Sequence, residues 1–147
     1  MCEAALESIR AGYPEQPFAE QLSGDLNLHA DAPRLQQALS NLLSNAVQHG
    51  DRSVPVTLSA CGEADAVVLS VSNLGEPIPP DALQAIFEPL VQAPSASAQA
   101  HERSKTSLGL GLFIVREIVL GHGGTVTVES SAEAGTVFTV RLPRTPA

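Results

Sequence analysis

Apolar residues recur with the period of an α-helix in the first third of the chain. Between residues 31 and 50 they are spaced three or four apart, on one side of a predicted helix: Leu35, Leu39, Leu42 and Ala46. Asp31 is placed to cap this helix, Pro33 suits its first turn and Gly50 ends it. A shorter helical pattern covers residues 3–11.

Other segments alternate between apolar and polar residues, which is the period of a β-strand. Residues 54–60 and 66–72 do so on either side of a turn-like Gly-Glu-Ala-Asp, which predicts an antiparallel pair. Residues 125–130 and 136–142 predict a second hairpin around a Glu-Ala-Gly turn. The shorter predicted elements are strands at 18–22 and 26–29 and helices at 81–87 and 113–120.

The order of these elements predicts the fold class. Hairpins supply the strands, without regular strand-helix-strand repeats, so we expect a mixed, mostly antiparallel sheet. The prediction is an α+β fold, a two-layer α/β sandwich with the helices on one face of the sheet. With 147 residues, 44% of them hydrophobic, the chain suits a single domain, 1–147, with one core. Residues 91–107 are rich in Ala, Ser and Gln, bury little and predict a mobile loop.

Charge and cysteine content restrict the class of ligand and compartment. Sixteen acidic and eight basic residues give a net charge of −8, which argues against a nucleic-acid or anionic-membrane surface but allows a local phosphate site. Cys2 and Cys61 show neither the spacing of metal ligands nor a disulfide framework. No long apolar run or cationic signal segment lies at the N-terminus, so we expect a cytoplasmic protein.

Residues 108–112 read Leu-Gly-Leu-Gly-Leu and lead directly into the helical pattern at 113–120. Glycines let the backbone approach a ligand closely, and the start of a helix presents unpaired N–H groups to an anion. The segment therefore predicts a phosphate site. The alternative is a flexible entry to a core helix.

The polar side of the predicted helix 31–50 carries two asparagines one turn apart, Asn41 and Asn45. The rest of that side is also polar: Arg34, Gln37 and Gln48. A solvated helix face normally holds Glu and Lys, because Asn is a poor helix former. An amide oxygen is a suitable ligand for Mg²⁺, which prefers oxygen donors. The pair favours a ligand site, with a solvated polar face as the alternative.

Four segments together resemble the sequence boxes of sensor histidine kinases, within the GHKL or Bergerat-fold ATPase superfamily. In the family's order they are similar to the N box (35–49, LQQALSNLLSNAVQH), the G1 box (71–79, VSNLGEPIP), the F box (86–90, IFEPL) and the G2 box (108–112, LGLGL). The resemblance covers roughly residues 25–143. It implies the Bergerat ATP-binding fold, with residues 91–107 as a lid and with ATP and Mg²⁺ as cofactors.

The resemblance also implies roles for individual residues. Asn45 would hold Mg²⁺, and Asn41 would lie near the phosphates and the attacking group; these two are the implied catalytic residues. Asn73 and Gly75 would meet adenine, and Phe87 would anchor the lid. Further positions in the boxes complete the implied nucleotide site, with the two glycines bracketing the triphosphate: Gln48, His49, Ile78, Ser107, Leu108, Gly109, Leu110, Gly111 and Leu112.

Three positions depart from the family's usual pattern. Asn73 stands where most members have Asp, Ser107 where the G2 box usually begins with Gly, and Gln48 where Lys often follows the Asn-Ala pair. An Asp can only accept a hydrogen bond from the amino group of adenine. The Asn73 amide can accept or donate, which weakens its discrimination between bases.

The implied function is transfer of the ATP γ-phosphoryl group to a histidine of a separate dimerisation and phosphotransfer domain, and indirectly to a response regulator. No histidine here resembles the acceptor: His29 lies in a predicted strand, and His101 lies in the lid without the following Pro. We interpret the chain as a catalytic module that needs its acceptor in cis or in trans. The alternatives are a degenerate GHKL domain serving as a nucleotide-binding or docking module, and a serine kinase of the anti-sigma type.

Overall fold

The computed structural model describes residues 2–28, 30–51, 53–75, 77–83, 86–87 and 102–144; for residues 2–3 and 102–110 it describes the backbone alone. The helices are α1 (Cys2–Gly12), α2 (Ala32–His49), α3 (Pro80–Leu83) and α4 (Glu102–Gly121). The strands are β1 (Phe18–Ser23), β2 (Val56–Gly62), β3 (Ala66–Asn73), β4 (Thr125–Ser131) and β5 (Gly135–Pro143). No helix within these ranges is long and apolar enough to cross a membrane.

The five strands form one sheet in the order β1-β2-β3-β5-β4. β1 runs parallel to β2, and the other neighbours are antiparallel. Helices α1, α2 and α4 form a single layer, in which α2 lies between the other two and packs on β2 and β3. The predicted two-layer sandwich with a mostly antiparallel sheet is confirmed.

The core lies between the helices and one face of the sheet. Because the chain is poor in aromatic residues, aliphatic side chains fill most of this space. Phe138 of β5 is the largest side chain that is fully buried. The predicted apolar side of α2 is buried as expected, at Leu35, Leu39, Leu42 and Ala46.

The start of α2 is fixed by the cap that the sequence predicts. The Asp31 carboxylate accepts a hydrogen bond from the backbone N–H of Arg34, at 3.2 Å. The Asp31 N–H in turn donates to Nε2 of His122 at 3.0 Å, and Nδ1 of this ring lies 2.8 Å from the carbonyl oxygen of Ile118. Nδ1 is thus the donor, and His122 joins the end of α4 to the start of α2.

The strand predicted at 26–29 is wrong for the residues that the structure describes, 26–28, which are irregular. The Asp25 carboxylate accepts from the N–H of Asn27 and closes a local turn. The Arg144 guanidinium donates to the carbonyl oxygens of Asn27 and Asp25, at 2.6 and 2.7 Å, and to that of Glu63 at 3.1 Å. These carbonyl groups bind an arginine from the far end of the chain and are not paired in a sheet.

Helix α4 begins at Glu102, well before the predicted start at residue 113. Residues 102–107 of the predicted mobile loop are therefore helical, and the Leu-Gly-Leu-Gly-Leu segment lies inside the helix; residues 91–101 lie outside the described ranges. Gly costs a helix only about 1 kcal/mol relative to Ala, and the leucines around the two glycines favour helix. The predicted helix 81–87 is observed over Pro80–Leu83, and Ile86 and Phe87 lie in a turn.

We predict that Arg144→Met lowers the free energy of unfolding by about 1–2 kcal/mol, because a charged donor to several carbonyl groups is lost. Arg141→Met is the matched control, three residues earlier and on β5. Its side chain is 45% exposed, against 24% for Arg144, and it pairs only with the exposed carboxylates of Glu63 and Asp65. Urea denaturation of both variants tests this. An equal loss of stability in the two would contradict the role given to Arg144.

Candidate nucleotide site

The end of α2 touches the backbone that follows β3. The N–H of Asp51 donates to the carbonyl oxygen of Leu74 at 2.6 Å. A Cβ atom on Gly75 would lie 2.9 Å from the carbonyl oxygen of His49, and a Cβ on Gly50 would lie 3.0 Å from the Cβ of Asn73. Side chains at these two glycines would push the end of α2 away from the end of β3 and the backbone after it.

A pocket of about 820 Å³ opens beside this contact. It lies among the last turn of α2, the end of β3, the proline-rich segment up to α3 and the first residues of β5. Its lining contains six of the residues that the sequence predicts for a nucleotide site: Asn45, Gln48, His49, Asn73, Gly75 and Ile78. The other lining residues are Gly50, Asp51, Pro77, Pro79, Ala82, Ile86 and Thr136.

Two amide residues of the lining are buried except where they meet the pocket. Asn45 is 6% exposed and Asn73 is 7% exposed. Neither side chain hydrogen-bonds to another residue within the described ranges. No fully buried polar atom of the described side chains lacks a partner, so these amides open onto the pocket, where a polar ligand can reach them. Asn45 therefore lies in a pocket wall and not on a solvated helix face.

Thr136 is a lining residue that the sequence interpretation missed. It is 5% exposed and lies opposite Asn73 in the β3–β5 register. Its Oγ1 lies 2.7 Å from Oγ of Ser130, which accepts a hydrogen bond from the N–H of Ile78 at 2.8 Å. Thr136 precedes the apolar Phe138 by two residues in the predicted strand 136–142, so both side chains share one face of the sheet, which was the available signal.

Other predicted site residues lie outside the lining and have structural contacts. Nδ2 of Asn41 donates to the carbonyl oxygen of Gly111 at 3.2 Å and joins α2 to α4. The Phe87 ring packs edge-on against Phe138, with 5.9 Å between ring centroids, and so joins Phe87 to the core. Leu112 is a core side chain, 1% exposed. The backbone of four predicted residues is helical, while their side chains lie outside the description: Ser107, Leu108, Gly109 and Leu110.

The charge in the pocket is unusual for a site that binds phosphate. None of the described lining residues is Lys or Arg, and Asp51 contributes a carboxylate. Hydrogen bonds from the Ser53 hydroxyl and N–H lower the pKa of Asp51, which keeps it ionised. Desolvation lowers the pKa of His49 from its ordinary 6.5, so its ring is neutral at pH 7. Nε2 of Gln48 donates to Oγ of Ser44.

Known proteins share both the sequence and the fold. Residues 30–146 match the model of the histidine kinase-, DNA gyrase B- and HSP90-like ATPases, and the chain belongs to that family. Sensor protein IrlS of Burkholderia pseudomallei is 37% identical over 148 residues, which cover 96% of this chain and 31% of IrlS. The chain thus spans about a third of that relative's length.

Two solved structures extend the comparison. Full-length ShkA in complex with AMPPNP is 33% identical with a TM-score of 0.74, over 98% of this chain and 29% of ShkA. Histidine kinase ThkA in complex with response regulator TrrA is 27% identical with a TM-score of 0.73, over 98% of this chain and 40% of that one. The chain therefore has the fold of histidine kinase catalytic domains.

We predict that His49 titrates below pH 6.5. Since its pKa is lower in the folded state, the folded protein binds fewer protons than the unfolded one between the two pKa values. The unfolding free energy of the wild type, relative to His49→Gln, should be constant above this window and fall as the pH is lowered through it. Denaturation curves between about pH 5 and pH 8 and an NMR titration of the ring test this. A ring that titrates at or above 6.5 would contradict it.

Proposed function

We propose that this chain is the ATP-binding catalytic domain of a sensor histidine kinase. It transfers the γ-phosphoryl group of ATP to a histidine on a separate dimerisation and phosphotransfer domain. The observation that carries the proposal is the pair of buried amides, Asn45 and Asn73, which face one pocket without partners among the described residues. The ATPase family and the AMPPNP complex of ShkA support the choice of nucleotide.

The two amides contact opposite ends of a bound nucleotide: Asn73 contacts the base and Asn45 the phosphate end. Asn73 lies in the sheet beside Thr136, where Ile78 and Ile86 supply apolar walls for a flat base. Its amide oxygen accepts from the amino group of adenine. Asn45 lies on α2, which leads toward the Gly111 segment of α4 through the Asn41 contact. The phosphates extend from the base toward that segment.

Mg²⁺ fits the phosphate end because the described lining contains no Lys or Arg to balance the charge of a triphosphate. No three His, Cys, Asp or Glu side chains group together among the described residues, so the metal would rely on amide, water and phosphate oxygens. Asn45 would supply the amide oxygen, and the metal would supply positive charge that stabilises phosphoryl transfer.

The protein's own contribution to transfer is alignment. A neutral histidine nitrogen of the acceptor is already a nucleophile, so holding it in line with the γ-phosphate accounts for most of the rate. Asn41 donates to Gly111 and cannot act as a base, which keeps water from being activated and makes hydrolysis slow. We place the domain in the cytoplasm, with a response regulator as the indirect partner that receives the phosphoryl group.

We predict that Asn45→Ala weakens binding of Mg-ATP by about 1.5–3 kcal/mol, as for loss of a bond to a charged group, and leaves metal-free binding nearly unchanged. Gln37→Ala is the matched control, because Gln37 is exposed on the same helix outside the pocket. Calorimetric titrations with Mg²⁺ and with a chelator separate the two effects. Equal affinities of wild type and Asn45→Ala in saturating Mg²⁺ would remove Asn45 from the metal site.

We predict that the chain with labelled ATP gives almost no autophosphorylation but labels its cognate acceptor domain in trans. Transfer should be slow, because an acceptor added in trans lacks the covalent linker that normally supplies an effective concentration in the mM range. The measurement is acid-labile phosphate on the acceptor, with an acceptor variant that lacks the histidine as control. Measurable ATP binding without label on either protein would contradict the kinase proposal and favour a nucleotide-binding docking module.

A further inference from the structure

A single polar row crosses an otherwise apolar region of the sheet. On the face that the helices cover, β4, β5 and β3 place Ser130, Thr136 and Asn73 side by side. The next two rows along the same strands are apolar throughout: Val128, Phe138 and Val71, then Val126, Val140 and Leu69. Buried polar groups are costly unless they are hydrogen-bonded, so this row needs a specific reason.

Ser130 accepts a backbone hydrogen bond from the proline-rich segment 77–80. In Pro77-Ile78-Pro79-Pro80 the three prolines lack an N–H, so Ile78 carries the only backbone donor of the four. That N–H donates to Oγ of Ser130 at 2.8 Å. Ile78 lines the pocket, so Ser130 fixes part of the pocket wall.

The second hydrogen bond of Ser130 joins it to the pocket wall. Its Oγ accepts from the N–H of Ile78 and lies 2.7 Å from Oγ1 of Thr136, and either hydroxyl of this pair can be the donor. If Ser130 donates, the Thr136 hydroxyl keeps its own proton for the pocket, on whose wall this residue lies 5% exposed. If Thr136 donates, Ser130 accepts both bonds and Thr136 offers the pocket only an acceptor.

We propose that Ser130 is the donor of this bond and thereby a positioning residue that determines base specificity, because Thr136 is then a hydrogen-bond donor toward the pocket. The inference rests on the proposed ATP site. Adenine N1 carries a lone pair that accepts from such a hydroxyl, whereas guanine N1 carries a hydrogen that opposes it. The Asn73 amide can turn to suit either base, so the fixed hydroxyl of Thr136 supplies the discrimination that Asn73 lacks.

The test compares two variants of equal shape, Ser130→Thr and Ser130→Val, by calorimetric titration with ATP and GTP. Ser130→Thr keeps the hydroxyl and should keep the wild-type ratio of ATP to GTP affinity. Ser130→Val loses it and should lower the ratio by about three- to tenfold, the usual effect of one hydrogen bond. Thr127→Val is the control, because Thr127 is an exposed residue on the opposite face of β4.

A double-mutant cycle supplies a second readout. Thr136→Val alone should lower the ratio, and adding Ser130→Val to it should have no further effect on the ratio, since Ser130 acts through Thr136. Melting curves verify that each variant is folded. A ratio that is the same in Ser130→Thr and Ser130→Val, with both affinities reduced equally, would show a merely structural role and overturn the inference. Absence of ATP binding by the wild type would instead overturn the proposed function.

Discussion

The close approach between the end of α2 and the backbone after β3 is the constraint on which the pocket depends. Gly75 and Gly50 allow it, because a Cβ on Gly75 would lie 2.9 Å from the carbonyl oxygen of His49 and a Cβ on Gly50 would lie 3.0 Å from the Cβ of Asn73. The bond from Asp51 to Leu74 then fixes the distance. As a result, Asn45 on the helix and Asn73 in the sheet face the same cavity. The glycine of the G1 box is thus required for backbone packing, whether or not it also contacts a base.

The site consists of polar residues at positions where the fold would otherwise place apolar ones. Asn45 is buried between apolar turns of α2, and the row containing Asn73 and Thr136 is buried beside apolar rows of the sheet. Each such group lowers stability unless it finds a partner. Ser130 and Ile78 satisfy part of this demand inside the protein. The two amides have no partner among the described residues and open onto the pocket, where a ligand can bind them.

Much of the fold follows from local patterns in the sequence. The leucine spacing and the Asp31 cap predicted α2, and the alternation of apolar and polar residues predicted both hairpins. The strand expected at 26–29 failed because Arg144, more than a hundred residues away in the chain, binds the carbonyl groups that a strand would pair. The start of α4 at Glu102 was not predicted, because the polar composition of residues 102–107 and the glycines that follow outweighed a modest helix preference of this segment.

The sequence predicted only those site residues that lie within the four boxes. Six of the predicted site residues line the pocket, but Phe87 and Leu112 pack in the core. Ser130 and Thr136 looked like ordinary strand residues, because their partners become neighbours only once three strands are in register. No pattern along the chain joins Ile78 to Ser130. Contacts of this kind depend on tertiary structure, which local periodicity does not encode.

Asn45 and Asn73, whose amides have no partner in the part of the chain that the structure describes, are proposed to face one bound nucleotide. The most direct test of this proposal is an NMR titration with ATP in which the side-chain amide resonances of both residues are followed, first without and then with Mg²⁺. The account predicts that the Asn73 resonances shift with ATP alone, and that those of Asn45 shift further when Mg²⁺ is added. Saturating ATP that leaves both pairs of resonances unchanged would contradict it.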